Sequence, residues 1–385
     1  MGKLYQTLVR PLAFRFDEER MHRLALKSGE IAGRYQLLRD LVHALYYHAD
    51  HRLSVTLAGV TYPSVAGLAA GYDKYCQWVR IAPHLSMGHI EIGTFTPPER
   101  DGNKPQRLFR LPQDFGLINR MGLNNYGLVK TVDKIREEAE YNYRTREDYE
   151  FEIPVDINLD PNTFFAEDRE EDEPTRGRMV FARELLWGLP YAKTINISCP
   201  NTQDGKAYEN PAGLDLVLQR SDIINKQMRR RNTRVKFSPD LDRGMLAECL
   251  DVCMRHMVDG TVHSNTTNIR DHLVTPMEEL ESVGRPGGYS GLRNFERNLG
   301  IVEFVRNRVG DRMYRVGVGG IGCNPETTPA FDTYCYLQHG ADIVQVLTGV
   351  PYYGFDIFKQ ISLELPHILE HAGFSSLEDF RRRRG

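Results

Sequence analysis

Cysteine is scarce in this sequence of 385 residues, and its six cysteines include no C-x-x-C pair. This pattern argues against a disulfide scaffold and against a zinc site, and no metal is expected. The sequence also lacks an apolar run of about 18 residues, so no transmembrane helix is predicted. Its start lacks the apolar segment of a signal peptide. What remains is a globular enzyme of cytosolic type.

A basic excess is missing as well. The chain has 49 Lys and Arg residues against 52 Asp and Glu residues, a formal net charge of −3. Binding to nucleic acid requires a concentrated basic surface, so no nucleic-acid partner is expected. The 41% apolar content is that of an ordinary globular protein with a sizeable core.

Residues 1–50 differ from the rest of the chain. Asp17, Glu18 and Glu19 suit the acidic first turn of a helix, and two short amphipathic helices with basic polar faces are predicted. Such helices either lie on a membrane surface or pack on a core, and the pattern alone leaves both possibilities open. The apolar stripe consists of Leu4, Leu8, Leu12, Leu24, Ile31, Leu38, Leu41 and Leu45.

Residues 51–385 form the second predicted domain, and from about Val65 onward they alternate short β-branched or apolar runs with longer helical patterns. Eight such units predict an α/β fold of the (β/α)₈ TIM-barrel type. A doubly wound sheet is the competing fold, but the G-x-G-x-x-G fingerprint after the first strand is missing. Residues 96–125 are too long for a plain loop and predict a hairpin lid over the barrel mouth. The predicted strands are 65–70, 89–94, 153–159, 193–198, 235–238, 261–264, 314–318 and 342–347.

Glycine and lysine stand at several predicted strand ends, where barrels carry their active sites. Gly319-Gly320 and Thr348-Gly349 follow the seventh and eighth strands. Glycine-rich turns at these places present backbone N–H groups to a phosphate. Lys74 and Lys236 supply positive charge, so the strand ends predict a site for an anionic cofactor or substrate.

Amide side chains and one thiol complete the strand ends. Amides pair with the donors and acceptors of a flat heterocycle. Cys199 is the nucleophilic or basic candidate, although a small buried residue is an equally good interpretation. His263 precedes a strand end, and alternation points its side chain away from the site. The amide residues are Asn119, Asn196, Asn201 and Asn265.

The motifs in their order resemble those of the dihydroorotate dehydrogenase family over nearly the whole chain. DEERMHRLA at 17–25 is similar to the N-terminal extension of the quinone-dependent members. The resemblance implies an FMN-binding barrel over 51–385 and a helical extension over 1–50 that forms a quinone tunnel and contacts a membrane. The other matching motifs are GLAAGYDK (67–74), EIGTFTP (91–97), LFRLPQDFGLINRMGLNN (108–125), INISCPNT (195–202), SNTT (264–267), GGYSG (287–291) and VGVGGI (316–321).

The resemblance implies that the chain oxidises dihydroorotate to orotate in pyrimidine synthesis and passes the electrons to a quinone. It implies Cys199 as the catalytic base, with His22 and Arg110 on the quinone path. It also implies a peripheral location on the cytoplasmic side of a membrane. The FMN-binding residues would be Ala70, Gly71, Lys74, Thr94, Asn158, Asn196, Lys236, Ser264, Gly291, Gly320, Leu347 and Thr348. The substrate-binding residues would be Lys74, Asn119, Arg120, Met121, Gly122, Leu123, Asn196, Asn201, Asn265 and Thr266.

The chain departs from the family pattern at four places. Cys199 stands where the quinone class has serine, which raises fumarate as an alternative acceptor. Residues 159–161 lack the usual Gly and Lys, Leu123 replaces a phenylalanine, and Leu347 replaces an aromatic residue. These changes raise a third possibility, a barrel that binds flavin or orotate with impaired catalysis.

Overall fold

Eight parallel strands close into a barrel, which confirms the predicted fold class. The computed structural model describes residues 2–143, 151–189, 191–199, 207–228, 232–283 and 287–384. Each strand pairs with its neighbours in chain order, and the eighth pairs with the first. The barrel strands, numbered here in chain order, are β1 (Ala66–Leu68), β2 (Ile90–Phe95), β3 (Val155–Leu159), β4 (Lys193–Asn196), β5 (Thr233–Phe237), β6 (Gly260–His263), β7 (Tyr314–Val318) and β8 (Ile343–Val346).

Every residue of these strands is buried, because side chains point either into the barrel or toward the surrounding helices. Each predicted strand overlaps an observed one. Several helices have an N-cap residue whose side-chain oxygen accepts a hydrogen bond from a backbone N–H of the first turn, as Asp172, Asp242 and Thr328 do. The longer helices around the barrel are Gly127–Tyr143, Glu173–Gly188, Pro211–Met228, Arg243–Arg255, Phe295–Val309, Pro329–Gln338 and Asp356–His371, and shorter helices are Met277–Val283, Gly349–Tyr353 and Leu377–Arg383.

Short elements complete the fold. A two-stranded hairpin, Val55–Leu57 with Val60–Tyr62, precedes β1. The short 3₁₀ segments are His51–Leu53, Ala82–Leu85, Pro112–Asp114, Pro161–Asp168, Leu292–Asn294 and Gly310–Arg312.

The predicted lid is a hairpin, Leu108–Leu111 with Gly116–Asn119, and a third strand joins it. Gly288–Gly291 pairs antiparallel with the second hairpin strand, a contact that the sequence analysis did not predict. We call these three strands the lid sheet. It has its own small core around Leu111, Ile118 and Tyr289.

The N-terminal extension is helical as predicted, but its division differs from the prediction. Instead of two helices, the described residues form a leading segment over 2–13, then α1 (Glu18–Arg34) and α2 (Gln36–Tyr46). Asp17 caps α1, since its carboxylate accepts from the backbone N–H of Arg20 at 2.8 Å. Tyr35 has extended dihedral angles, φ −106° and ψ 121°, and therefore separates α1 from α2.

The extension packs on the barrel with one face and leaves the other in solvent. The indole N–H of Trp78 donates to the carbonyl of Leu26 at 3.1 Å. Gly29 faces the same indole, and a Cβ at that position would come within 2.4 Å of the ring. Leu8, Leu12 and Leu37 lie on the outer face and are more than half exposed. No helix among the described residues has the length and apolarity needed to cross a membrane.

One surface histidine joins two barrel helices. His256 Nδ1 lies 2.6 Å from a carboxylate oxygen of Asp222, and His256 Nε2 lies 3.0 Å from Asp215. Burial lowers the pKa of His256, but the two carboxylates outweigh it and raise the pKa above its usual 6.5. The charged histidine therefore stabilises the folded state at low pH.

We expect His256→Gln to destabilise the protein more at pH 6 than at pH 9. The folded-state pKa is raised, so the stabilisation is complete below about 6.5 and is lost as pH rises through the folded value. Melting temperatures of both proteins at the two pH values measure the difference. His367→Gln is the control, because His367 is 70% exposed. If His256→Gln lowers the melting temperature by the same amount at both pH values, the charged form of His256 does not stabilise the folded state.

Candidate active site

A cavity of about 450 Å³ lies between the upper end of the barrel, the lid sheet and the N-terminal extension. Residues at or just after seven of the eight strands line it, together with residues from the lid and from α1. The carboxyl ends of the strands form this face, as expected for a (β/α)₈ barrel.

The floor of the cavity rests on a buried carboxylate. Glu91 of β2 is fully buried and accepts from the side-chain amide of Asn158 at 2.5 Å. It also accepts from Gln345 and lies 3.3 Å from Arg234 Nη2. Burial raises the pKa of Glu91, but Arg234, Lys236 and the hydrogen bonds lower it overall. Glu91 is therefore held as an anion inside the barrel.

A line of hydrogen bonds rises from Glu91 to the cavity. The hydroxyl of Thr94 donates to Asn158 at 2.5 Å, and the amide of Asn196 donates to Thr94 at 2.8 Å. The amide of Asn265 then donates to Asn196 at 3.2 Å. Asn158 is therefore one layer below the cavity wall, whereas Thr94, Asn196 and Asn265 line it.

Two buried lysines provide positive charge at the cavity wall. Burial lowers the pKa of Lys74 to about 8, with Arg107 acting in the same direction. Burial also lowers the pKa of Lys236, which Glu91 partly restores. Lys74 donates to the carbonyl of Gly71, a residue with φ +99°. The lysines thus mark the part of the cavity that suits an anion.

Cys199 follows β4, lines the cavity and is 6% exposed. Its charge, when ionised, is felt by both Lys74 and Lys236. The preceding residue is fixed, because the hydroxyl of Ser198 donates to the carbonyl of Lys236 at 2.9 Å and the amide of Asn265 donates to the carbonyl of Ser198 at 2.9 Å. The hydroxyl of Thr266 lies on the cavity wall without a hydrogen-bond partner. Asn201 lies outside the described residues.

The glycine-rich turns lie where the strand positions predicted them. Gly291 of the lid, Gly319 and Gly320 after β7, and Leu347 and Thr348 after β8 line one end of the cavity with Ala70. The hydroxyls of Ser290 and Thr348 are 2.7 Å apart and join the lid sheet to β8. Ser264 donates to Asn298 at 2.9 Å, and Asn298 donates to the carbonyl of Val318 at 2.8 Å.

Three amide residues of the lining were missed by the sequence analysis. Asn294 and Asn298 follow the third lid strand, and Gln345 is inside β8. Oδ1 of Asn294 and Oε1 of Gln345 are buried and have no hydrogen-bond partner. For Gln345, a polar residue inside an apolar strand was the available signal, whereas no local pattern marks the two asparagines.

On the lid side, the predicted substrate residues divide into two groups. Asn119, Met121, Gly122 and Leu123 line the cavity. The guanidinium of Arg120 instead donates to the carbonyls of Gln106 at 2.9 Å and Val283 at 3.0 Å, so its side chain is outside the cavity wall.

The altered residues 159–161 form an ordered turn. Asp160 accepts from the backbone N–H of Asn162 at 2.9 Å, and Pro161 begins a 3₁₀ segment. The hydroxyl of Tyr208 donates to the side-chain oxygen of Asn162 at 3.2 Å. Asp160 therefore caps the 3₁₀ segment, and the contact with Tyr208 joins this stretch to the start of the next helical region.

The outer end of the cavity runs between the extension and the helix after β8. Arg110 donates to the carbonyl of Ala13 at 3.2 Å, lies 3.4 Å from Glu18, and places its guanidinium 4.5 Å from the ring centre of Phe14. His22 packs edge-on against Tyr72, with 4.6 Å between the ring centres. Burial and the nearby Lys74 lower the pKa of His22 to about 3, so it is neutral at pH 7. Both residues predicted for a quinone path therefore lie on this wall.

The fold and the site define a (β/α)₈-barrel enzyme whose cavity brings two buried lysines together with a thiol and amide groups. The family model described as dihydroorotate dehydrogenase matches residues 52–369. The chain belongs to the dihydroorotate dehydrogenase family. It is 32% identical over 380 residues to the dihydroorotate dehydrogenase (quinone) of Roseiflexus sp. (strain RS-1), with 98% of each chain covered.

A second relative supports the same assignment. The dihydroorotate dehydrogenase (quinone) of Rhodococcus opacus (strain B4) is also 32% identical over 380 residues, with 98% of each chain covered. Among solved structures, ligand-free DHODH from Eimeria tenella has a TM-score of 0.75 at 24% identity, covering 91% of this chain and 99% of that one. That likeness shows the barrel fold.

We expect Glu91→Gln to destabilise the protein by about 1–3 kcal/mol, because it removes the acceptor of buried hydrogen bonds and leaves Arg234 paired only with Asp156, 3.0 Å away. Chemical denaturation measures the loss. Glu184→Gln serves as the control, since Glu184 is a half-exposed helix residue 3.7 Å from Arg183. Equal stability of the two variants contradicts the role given to Glu91.

Proposed function

We propose that this chain oxidises dihydroorotate to orotate in de novo UMP synthesis, with FMN as cofactor and a quinone as electron acceptor. The observation that carries the proposal is one cavity that brings together Cys199, two buried lysines and a line of amides, and that extends between the N-terminal extension and the helix after β8. Members of the family use a flavin, and the wall of this cavity suits one.

The fit to a flavin rests on the polar atoms of the wall. Oε1 of Gln345 and Oδ1 of Asn294 are buried, unpartnered acceptors on the cavity, and the flavin ring and its ribityl chain carry donors. The turns at Gly320 and Thr348 suit the phosphate. The bound flavin supplies a two-electron acceptor. The residues that would hold it are Ala70, Gly71, Lys74, Thr94, Asn158, Asn196, Lys236, Ser264, Gly291, Gly320, Leu347 and Thr348; Asn158 would do so through Thr94, since it lies one layer below the cavity wall.

In this proposal, Cys199 acts as a thiolate and takes the C5 proton of dihydroorotate, while C6 gives up a hydride for which a flavin held at this wall would be the acceptor. Lys74 and the amides stabilise the charge that develops on the adjacent carbonyl. The line from Glu91 to Asn265 holds those amides in place before the substrate arrives. The residues that would bind dihydroorotate are Lys74, Asn119, Arg120, Met121, Gly122, Leu123, Asn196, Asn201, Asn265 and Thr266; Arg120 would do so through its backbone.

The quinone would enter along His22 and Arg110, between α1 and the helix that follows β8. The exposed outer face of the extension, with Leu8, Leu12 and Leu37, would rest on the cytoplasmic side of a membrane. An apolar acceptor could then pass from lipid into the cavity without crossing water.

The first test is the absorption spectrum of the purified protein. We expect an oxidised flavin band that bleaches when dihydroorotate is added without oxygen, and that returns when a quinone is added. Return of the band with fumarate but not with a quinone would favour a second candidate function, dihydroorotate oxidation with fumarate as the electron acceptor, which Cys199 motivates. A flavin band that dihydroorotate never bleaches would instead indicate a binding protein without catalysis.

Cys199→Ala should lower the rate of this bleaching by about a hundredfold or more, because general-base catalysis is lost. The flavin should stay bound, which its absorbance after gel filtration measures. Cys199→Ser should keep part of the activity with its optimum at higher pH, since a hydroxyl is a weaker acid than a thiol. Normal turnover by the alanine variant would show that Cys199 is not the base.

Ala25→Trp tests the quinone path, because Ala25 lines the outer part of the cavity between α1 and the barrel. We expect the KM for a quinone to rise about tenfold or more, since the indole overfills the passage. The rate of flavin bleaching by dihydroorotate should be unchanged. Quinone turnover equal to that of the parent protein would place the entry elsewhere.

A further inference from the structure

A buried ion pair joins the N-terminal extension to the lid. Glu19, in the first turn of α1, is 8% exposed. Its carboxylate lies 3.0 Å from Arg107 Nη2, and both of its oxygens lie 3.3 Å from Arg107 Nε. The two residues are 88 positions apart in the chain, so this contact forms only when α1 docks.

Arg107 also shapes the loop before the lid hairpin. Its Nη1 donates to the carbonyls of Asp101 at 2.7 Å and Asn103 at 2.8 Å. Its own carbonyl accepts from the backbone N–H of Arg120 at 2.8 Å. A single guanidinium therefore holds residues 101–107 in one conformation and faces α1 at the same time.

The loop held by Arg107 presses against residues that line the cavity. The backbone N–H of Asn103 donates to the carbonyl of Met121 at 2.9 Å, and the Asn103 amide donates to the carbonyl of Arg120 at 2.8 Å. Gly122, at φ +76°, approaches so closely that a Cβ would lie 2.7 Å from Asn103. Leu123 also has a positive φ, 58°, which an unsupported leucine disfavours.

We infer that the Glu19–Arg107 ion pair is a positioning element for the orotate end of the cavity, which couples docking of α1 to the shape of the 121–123 wall and to the charge around Lys74. The inference rests on the proposed function for the identity of the anion. Glu19 and Arg107 are positioning residues, since they act through the wall and through Lys74.

The charges around Lys74 shift its pKa in opposite directions. Arg107 lowers the pKa of Lys74, whereas Asp73, Glu19 and Cys199 raise it. His22 also faces Lys74, but it is neutral above its pKa of about 3. Removing Glu19 should therefore lower the pKa of Lys74, and removing Arg107 should raise it. If the two residues had only a structural role, replacing Glu19 and replacing Arg107 would not shift the pKa of Lys74 in opposite directions.

The experiment measures the dissociation constant of orotate by calorimetry on the full-length, flavin-loaded protein from pH 6.5 to 9.5. Binding should weaken as Lys74 loses its proton. We expect Glu19→Gln to move this loss to lower pH by roughly half a unit or more, and Arg107→Gln to move it to higher pH by a similar amount. Both should weaken orotate binding at pH 6.5 by about tenfold, through the loosened wall.

Two further variants complete the design. Arg107→Lys keeps the positive charge but loses the several hydrogen bonds of the guanidinium. It should therefore weaken orotate binding at every pH, without changing the pH at which binding weakens as Lys74 loses its proton. Glu30→Gln neutralises another carboxylate of α1, one paired with Lys27 and Arg34, and should change neither quantity.

Shifts of Glu19→Gln and Arg107→Gln in the same direction, or no shift in either, would overturn the inference. If Arg107→Gln does not fold, the comparison of Glu19→Gln with Arg107→Lys and Glu30→Gln decides it. Failure of the parent protein to bind orotate would instead count against the proposed function.

Discussion

The buried carboxylate of Glu91 is the constraint on which the site depends. An anion in the barrel interior requires a cation and hydrogen-bond donors around it, and Arg234, Asn158 and Gln345 meet that requirement. Because the amide N–H of Asn158 donates to Glu91, the side-chain oxygen of Asn158 must face Thr94. Thr94 in turn orients the amides above it. The amides of the cavity wall are therefore oriented by a charge that lies below that wall.

Local patterns were enough to predict the barrel and the position of most site residues. Buried β-branched runs identify the strands, and residues just after a strand must lie at its carboxyl end, as Ser264 and Thr348 do. The acidic run from Asp17 to Glu19 located the start of α1, although the sequence placed Asp17 in the first turn and the structure makes it the N-cap. The division at Tyr35 was not, because a single extended residue leaves the apolar spacing almost unchanged.

Contacts between distant segments account for what the sequence did not reveal. Gly288–Gly291 has too few residues to predict a strand, and only the exposed edge of the lid hairpin makes it one. The support of Asn158 by Glu91 crosses from one strand to the next. The pairing of Glu19 with Arg107 requires the docked extension. In each case the partner is fixed by the closed barrel and its lid.

The third strand of the lid has a consequence for exchanging parts between related enzymes. The hairpin at 108–119 looks like a self-contained module in the chain, yet its edge is completed by Gly288–Gly291, which also reaches Thr348 through Ser290. A chimera that imports the hairpin alone would leave it unmatched to its neighbour. The two segments form one structural unit, and a graft must carry both.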